Sequence, residues 1–157
     1  MQIEELKHCY THRELLEVLE STPEFLGTLY TRLFNEINEE NKPIAIVALH
    51  WLAYSVEPLT INLLAEAVAV DPVSSPTLSE EERLVRPYDI VDMLRNLVTV
   101  SSSSNTSDSG STMVHLIHQS LVEFLRNKGL IEAAHAHCLI AEVCLKYIAF
   151  YANSERR

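Results

Sequence analysis

The sequence predicts a mainly α protein in which helices close around one small β-hairpin. Three observations carry that expectation. Apolar residues recur at helical spacing through most of the chain. Several of these stretches open on a Ser or Thr placed three residues before Glu, or directly before Pro. Two short β-prone runs flank a serine-rich segment, as the arms of a hairpin flank its tip.

Each element follows from local chemistry. Thr11 and Glu14 fit a capping box ahead of Leu15, Leu16 and Leu19. Thr22 offers a second N-cap, with Pro23 at the first helical position. Leu26, Leu29, Tyr30, Leu33, Phe34 and Ile37 then fall at i, i+3, i+4, i+7, i+8 and i+11, one face of a helix. The polar run NEEN (38–41) and Pro43 end that helix and start the next. PIAIVALHWLAYSV (43–56) is the most apolar run, yet it falls short of the about 20 residues that a bilayer crossing needs. It reads as a helix buried in a protein core, and no segment reads as transmembrane.

Ser55 to Pro58 predicts a turn, and Leu59 a short extended piece. Thr60 caps a helix with Leu63, Leu64, Ala67 and Val68 on one side. DPVSSPTLSEEERLVRP (71–87), with Pro72, Pro76 and Pro87, reads as a surface loop. Pro87 opens a short helix through Ile90, Val91 and Leu94, and Leu97–Val100 reads as a strand. SSSSNTSDSGS (101–111) is a low-complexity loop. Thr112–Ile117 returns as a strand, with Met113, His115 and Ile117 on one side and Val114 and Leu116 on the other. Ser120 and Glu123 form a third capping box, opening a helix with Leu121, Val122, Phe124 and Leu125 that ends at Gly129. A last helix covers roughly 132–151, with Ile140, Cys144, Tyr147 and Tyr151 along one face. No internal repeat recurs at a period of about 20–50 residues.

From 43 to 117 the order is helix, short strand, helix, loop, helix, strand, loop, strand. That is the order of a winged helix, a three-helix core closed by a β-hairpin whose tip is the wing. Trp51, Tyr54, Leu59 and Leu63 are expected to form its core, with Tyr30 and Leu33 pinning the preceding helix onto it. Cys144 and Tyr147 are expected in the core beside the last helix.

Composition narrows the function. With 157 residues, 47% of them hydrophobic, the chain can bury a core and fits one domain with a helical extension. A formal charge of −10 opposes phosphate-backbone binding. The third helix, YDIVDMLRN, sets Asp89 and Asp92 against Arg95, and the wing carries Asp108 and no Lys or Arg, so no nucleic acid is expected as partner. Cys9, Cys138 and Cys144 form no even framework and no signal peptide precedes them, which reads as a reducing, cytoplasmic setting.

Catalysis has little material. The three glycines, Gly27, Gly110 and Gly129, begin no GxxxxGK[ST] loop, so the chain is no nucleotide hydrolase alone. For a metal, His135 with Cys138 and Cys138 with Glu142 have compatible spacings but no matching second pair. His135 and His137 lie on nearly opposite sides of a helix, and His115 and His118 straddle a strand end, so no metal site is expected. Ser120 lies near His118, but no GxSxG surrounds it and the serine is better employed as a cap. No cofactor and no catalytic residue are expected.

Four segments carry a family resemblance: YTHRELLEVLESTPEFLGTLYTRLF, ALHWLAYSVEPLTINLLAEAVAVDP, HLIHQSLVEFL and AHCLIAEVCLKYIAF. In order and over nearly the whole chain, they resemble the region that follows the NACHT nucleotide-binding core in fungal NLR-like STAND proteins. This is the winged-helix domain of GPI inositol-deacylase type, often followed by ankyrin repeats. Where that family commonly has Leu-Pro before the Tyr-bearing helix, this chain has Thr22-Pro23. The resemblance places Met1 within a helical lid, with the phosphate-loop half of such proteins outside these residues. It implies a helical lid segment over 1–41, a winged-helix domain over 42–128, and a C-terminal helix over 129–157 leading toward a repeat region.

The resemblance further implies a non-catalytic regulatory module that couples the nucleotide state of an adjacent NACHT core to downstream repeats and effectors. His118 matches by motif position the histidine that contacts the phosphates of bound ADP in related switch ATPases. ADP or ATP would then enter only through a NACHT core in cis or trans. A helix N-terminus with its free N–H groups and an imidazole that can donate suit such an anion. The alternative is a free-standing protein–protein interaction module without nucleotide coupling. Self-association through the apolar face of the C-terminal helix is a further expectation.

Overall fold

A computed structural model describes residues 25–70, 83–102 and 112–154. The expected caps at Thr11 and Thr22, most of the 71–87 loop and the serine-rich wing tip lie outside these residues. The chain divides into two compact units, Met1–Glu36 and Ile37–Arg157.

In the first unit, residues 25–35 form helix α1. The Thr31 hydroxyl donates to the Gly27 carbonyl at 2.7 Å, and Arg32 pairs with Glu36 at 3.5 Å, one turn apart. Tyr30 is buried. The helix stops before Ile37, two residues short of the expected stripe.

The second unit begins with a 3-10 turn, Glu39–Asn41, in which Asn38 Oδ1 accepts from the Glu40 N–H at 3.4 Å. Helix α2 (Lys42–Tyr54) follows, with Pro43 in its first turn, where a missing N–H costs nothing. Strand β1 (Leu59–Thr60) leads straight into α3 (Ile61–Val68), whose N-cap Thr60 accepts from the Leu63 N–H at 3.2 Å. Next come α4 (Asp89–Leu94), a 3-10 turn over Arg95–Leu97, β2 (Val98–Ser102) and β3 (Thr112–Leu116). Helices α5 (Gln119–Asn127) and α6 (Ala133–Ser154) complete the unit.

The strands form one antiparallel sheet in the order β1-β3-β2. Leu59 lies opposite Val114, and Val98 opposite Leu116. Directly opposed residues share a face, so Leu59, Val98 and Val114 line the inner side, where all three are buried. The elements follow the order that the sequence predicts, helices closed by a small antiparallel sheet, and the protein is mainly α.

Helix α2 is the hub. It contacts α3, α4, α6 and β3, so an apolar residue on almost any of its sides meets another element. That explains why its sequence is apolar nearly all round. Leu49, Ile61, Leu64, Ile90, Leu94, Leu97, Leu121 and Leu125 are fully enclosed around it. Each such side chain contributes roughly 2 kcal/mol of transfer free energy.

Four core assignments need correction. Leu63 is 53% exposed, and α3 turns Ile61, Leu64, Ala65 and Ala67 inward instead. Thr60 starts the helix at a phase that aims the first turn's Leu63 outward. Tyr54 is half-buried, while Trp51 and Leu59 are buried as expected. In α6 the buried residues are Ala136, Leu139 and Val143; Cys144 is exposed, Ile140 and Tyr147 are half-buried, and the side chain of Tyr151 lies outside the described residues.

Two backbone positions stand out. Gly129, with φ +66°, closes α5: its N–H bonds to Arg126 O and the Leu130 N–H to Leu125 O, both at 2.9 Å. This left-handed closure satisfies carbonyls the helix would otherwise leave open. Arg95 also has positive φ (47°), between α4 and β2, where a side chain is strained.

Candidate functional site

His118 stands where β3 hands over to α5. Its backbone is extended (φ −160°, ψ 151°), and it is the N-cap residue of α5. The Ser120 N–H donates to its Nδ1 at 3.1 Å, and the Ser120 hydroxyl lies 2.8 Å from the same nitrogen. The expected capping box on Ser120 and Glu123 is therefore displaced: the helix starts two residues earlier, and the imidazole takes the role that Ser, Thr or Asp usually fills. Imidazole can do so because an unprotonated ring nitrogen is a good acceptor. With Nδ1 accepting, the neutral ring carries its proton on Nε2.

His118 borders a cleft of about 340 Å³ between the β1 approach, β3 and the first two turns of α5. Ser55 and Glu57 come from the approach to β1, His115 from β3, and Gln119, Val122 and Arg126 from α5. The α5 residues fall at i, i+3 and i+7, one stripe of the helix, a spacing legible in the sequence. The contribution of the 55–58 turn was not, because it depends on how α2 and β3 are placed. Ser55 Oγ is buried in this wall without a hydrogen-bond partner among the described residues.

Arg126 is held in place rather than loose. Its Nε–H donates to the Tyr54 hydroxyl at 2.9 Å, and its guanidinium carbon lies 5.3 Å from the Tyr54 ring centre. The Tyr54 ring in turn meets His137 of α6 edge-on at 5.7 Å. His115 Nε2 and Ser101 Oγ share a hydrogen bond of 3.1 Å across the hairpin. The lining of the cleft thus includes a cation bonded to Tyr54, a helix N-terminus and the His118 imidazole, together with the Glu57 carboxylate.

His115 and His118 line the same cleft, His115 bonded to Ser101 and His118 to Ser120. The remaining candidates separate. Cys138 Sγ donates to Glu142 Oε1 at 3.6 Å along α6. His135 meets His50 of α2 edge-on, with ring centres 5.3 Å apart. His50 is 4% exposed and its Nδ1–H donates to the Ile46 carbonyl at 2.8 Å. Burial is the main cause that lowers its pKa from 6.5; the bond to Ile46 raises it, and the His135 charge lowers it further. Among the described residues, no group of three or more His, Cys, Asp or Glu converges on a point. On α4, Asp89 pairs with Arg86 at 2.9 Å.

Among the described residues, one helical stretch, Ala133–Phe150 of α6, is long and apolar enough to cross a membrane by length and composition, with mean hydropathy 1.2. It carries Glu142 and Lys146, and its inward side packs on α2.

No family model matches the chain, and no solved structure matches it. The chain is 32% identical over 141 residues to azaphilone pigments biosynthesis cluster protein L of Monascus ruber. The match covers 83% of this chain and 29% of that protein, so the chain spans less than a third of its relative.

Proposed function

We propose that this chain is a non-catalytic, cytoplasmic regulatory module of an NLR-like STAND protein, with its winged helix transmitting the nucleotide state of a NACHT core to the segments that follow. The observation that carries this reading is the setting of His118. Its Nδ1 accepts from Ser120, which leaves Nε2–H as a donor at a helix N-terminus, in a cleft that Arg126 also lines. That combination suits a phosphate supplied from a neighbouring domain. The order of helices and strands and the resemblance of four segments to that family support the same reading.

The close Ser120–His118 contact does not argue for hydrolysis. Nδ1 is shared with a backbone N–H, so the ring serves the helix start rather than a free nucleophile. The acidic residues of α4, with Asp89 already paired to Arg86, disfavour duplex DNA as the partner.

The test is nucleotide retention. The chain alone should bind neither ADP nor ATP. Joined to its NACHT core, the protein should hold ADP, and His118→Leu should release it and switch on the output. Unchanged ADP retention and unchanged output in that variant would remove His118 from the switch and leave a free-standing interaction module as the better reading.

A further inference from the structure

Helix α6 has two apolar faces. Ala136, Leu139 and Val143 point inward. On the opposite side, Ala134, Cys138, Ala141, Leu145, Ile148 and Ala152 are all exposed, Leu145 at 66% and Ile148 at 64%. These six fall at alternating steps of four and three residues, the spacing of a coiled-coil seam. A surface helix ordinarily presents polar residues there.

We propose that this seam pairs with the same seam of a second copy, antiparallel, about a two-fold axis at Val143. In that register Ala134 meets Ala152, Cys138 meets Ile148, and Ala141 meets Leu145. Each of the two large side chains faces a smaller one. A two-fold interface requires such self-complementarity, because one patch must supply both knob and hole. A helix of 22 residues is about 33 Å long and about 10 Å across. Pairing two such faces buries on the order of 1,200 Å² in total, the lower edge of a stable, specific interface. The expectation of self-association is thereby moved from the Ile140–Cys144–Tyr147 face to one about 110° further round the helix. The proposal is independent of the nucleotide reading.

The experiment is sedimentation equilibrium of the full chain over the micromolar range. A mass of twice 17.8 kDa is expected. Leu145→Lys and Ala141→Glu should each weaken the dimer more than tenfold with unchanged far-UV circular dichroism. The double variant should restore it, since each lysine then faces the partner's glutamate. A monomer throughout, a dimer indifferent to Leu145→Lys, or a double variant no better than the singles would overturn the proposal. So would a monomer that floats with phosphatidylcholine vesicles, which would give the seam to a lipid surface.

Discussion

The Nδ1 atom of His118 accepts the backbone N–H of Ser120 at 3.1 Å, so a histidine, not the serine, opens helix α5. A side-chain acceptor at this position satisfies one of the four N–H groups that every helix start leaves open. His118→Ala should therefore lower unfolding stability by about 1 kcal/mol, and His118→Asn should recover most of it. Urea unfolding midpoints measure both. Equal stability of the alanine variant would mean that the cap contributes nothing.

Adjacent leucines of α3 should respond in opposite ways. Leu64 is fully buried and Leu63 is 53% exposed. Leu64→Ala leaves a cavity and should cost about 3 kcal/mol. Leu63→Ala should cost under about 1 kcal/mol, because little contact is lost. Similar losses at both sites would show that the phase of α3 is wrong.

Acid should weaken the fold through His50. Its pKa in the folded protein lies below the ordinary 6.5, chiefly through burial. The unfolded chain then binds more protons than the folded one as pH falls past 6.5, and stability rises with pH across that window. The contribution is fully present above 6.5 and is lost as pH drops toward the lowered value. Unfolding curves from pH 7 to pH 5 should shift steadily to lower urea, and His50→Gln should flatten that shift. A variant with the wild-type slope would assign the acid sensitivity to other groups.

Two backbone substitutions should act with opposite sign. Gly129 adopts φ +66° with open space where a Cβ would stand, so Gly129→Ala meets conformational strain and no clash. It should cost about 1 kcal/mol. Arg95 holds φ 47°, and Arg95→Gly should gain about 1 kcal/mol by relieving the same kind of strain. Thermal unfolding reads both signs. A loss of stability in Arg95→Gly would mean that the arginine side chain contributes more than its backbone costs.

The element order was readable along the chain because helix and strand signals are local. Thr60 caps α3, Gly129 closes α5, and alternation in β3 places Val114 inward. The mainly α class and the hairpin follow from those signals. Side-chain burial was less legible. Leu63 and Cys144 sit on apolar stripes, but α3 and α6 carry apolar residues on more than one side, and their neighbours choose which side is buried.

The cleft around His118 shows the same division. Its histidine and the stripe of Gln119, Val122 and Arg126 are set by spacing within a single helix. Sequence alone therefore determined the helical class, the hairpin and the residue at the strand-to-helix junction, because covalent neighbours define them. Only tertiary structure decided that Tyr54 holds Arg126 across the chain and that α6 keeps a second apolar face exposed. Those outcomes depend on how distant elements compete for the same donor or the same buried side, and no local pattern records that competition.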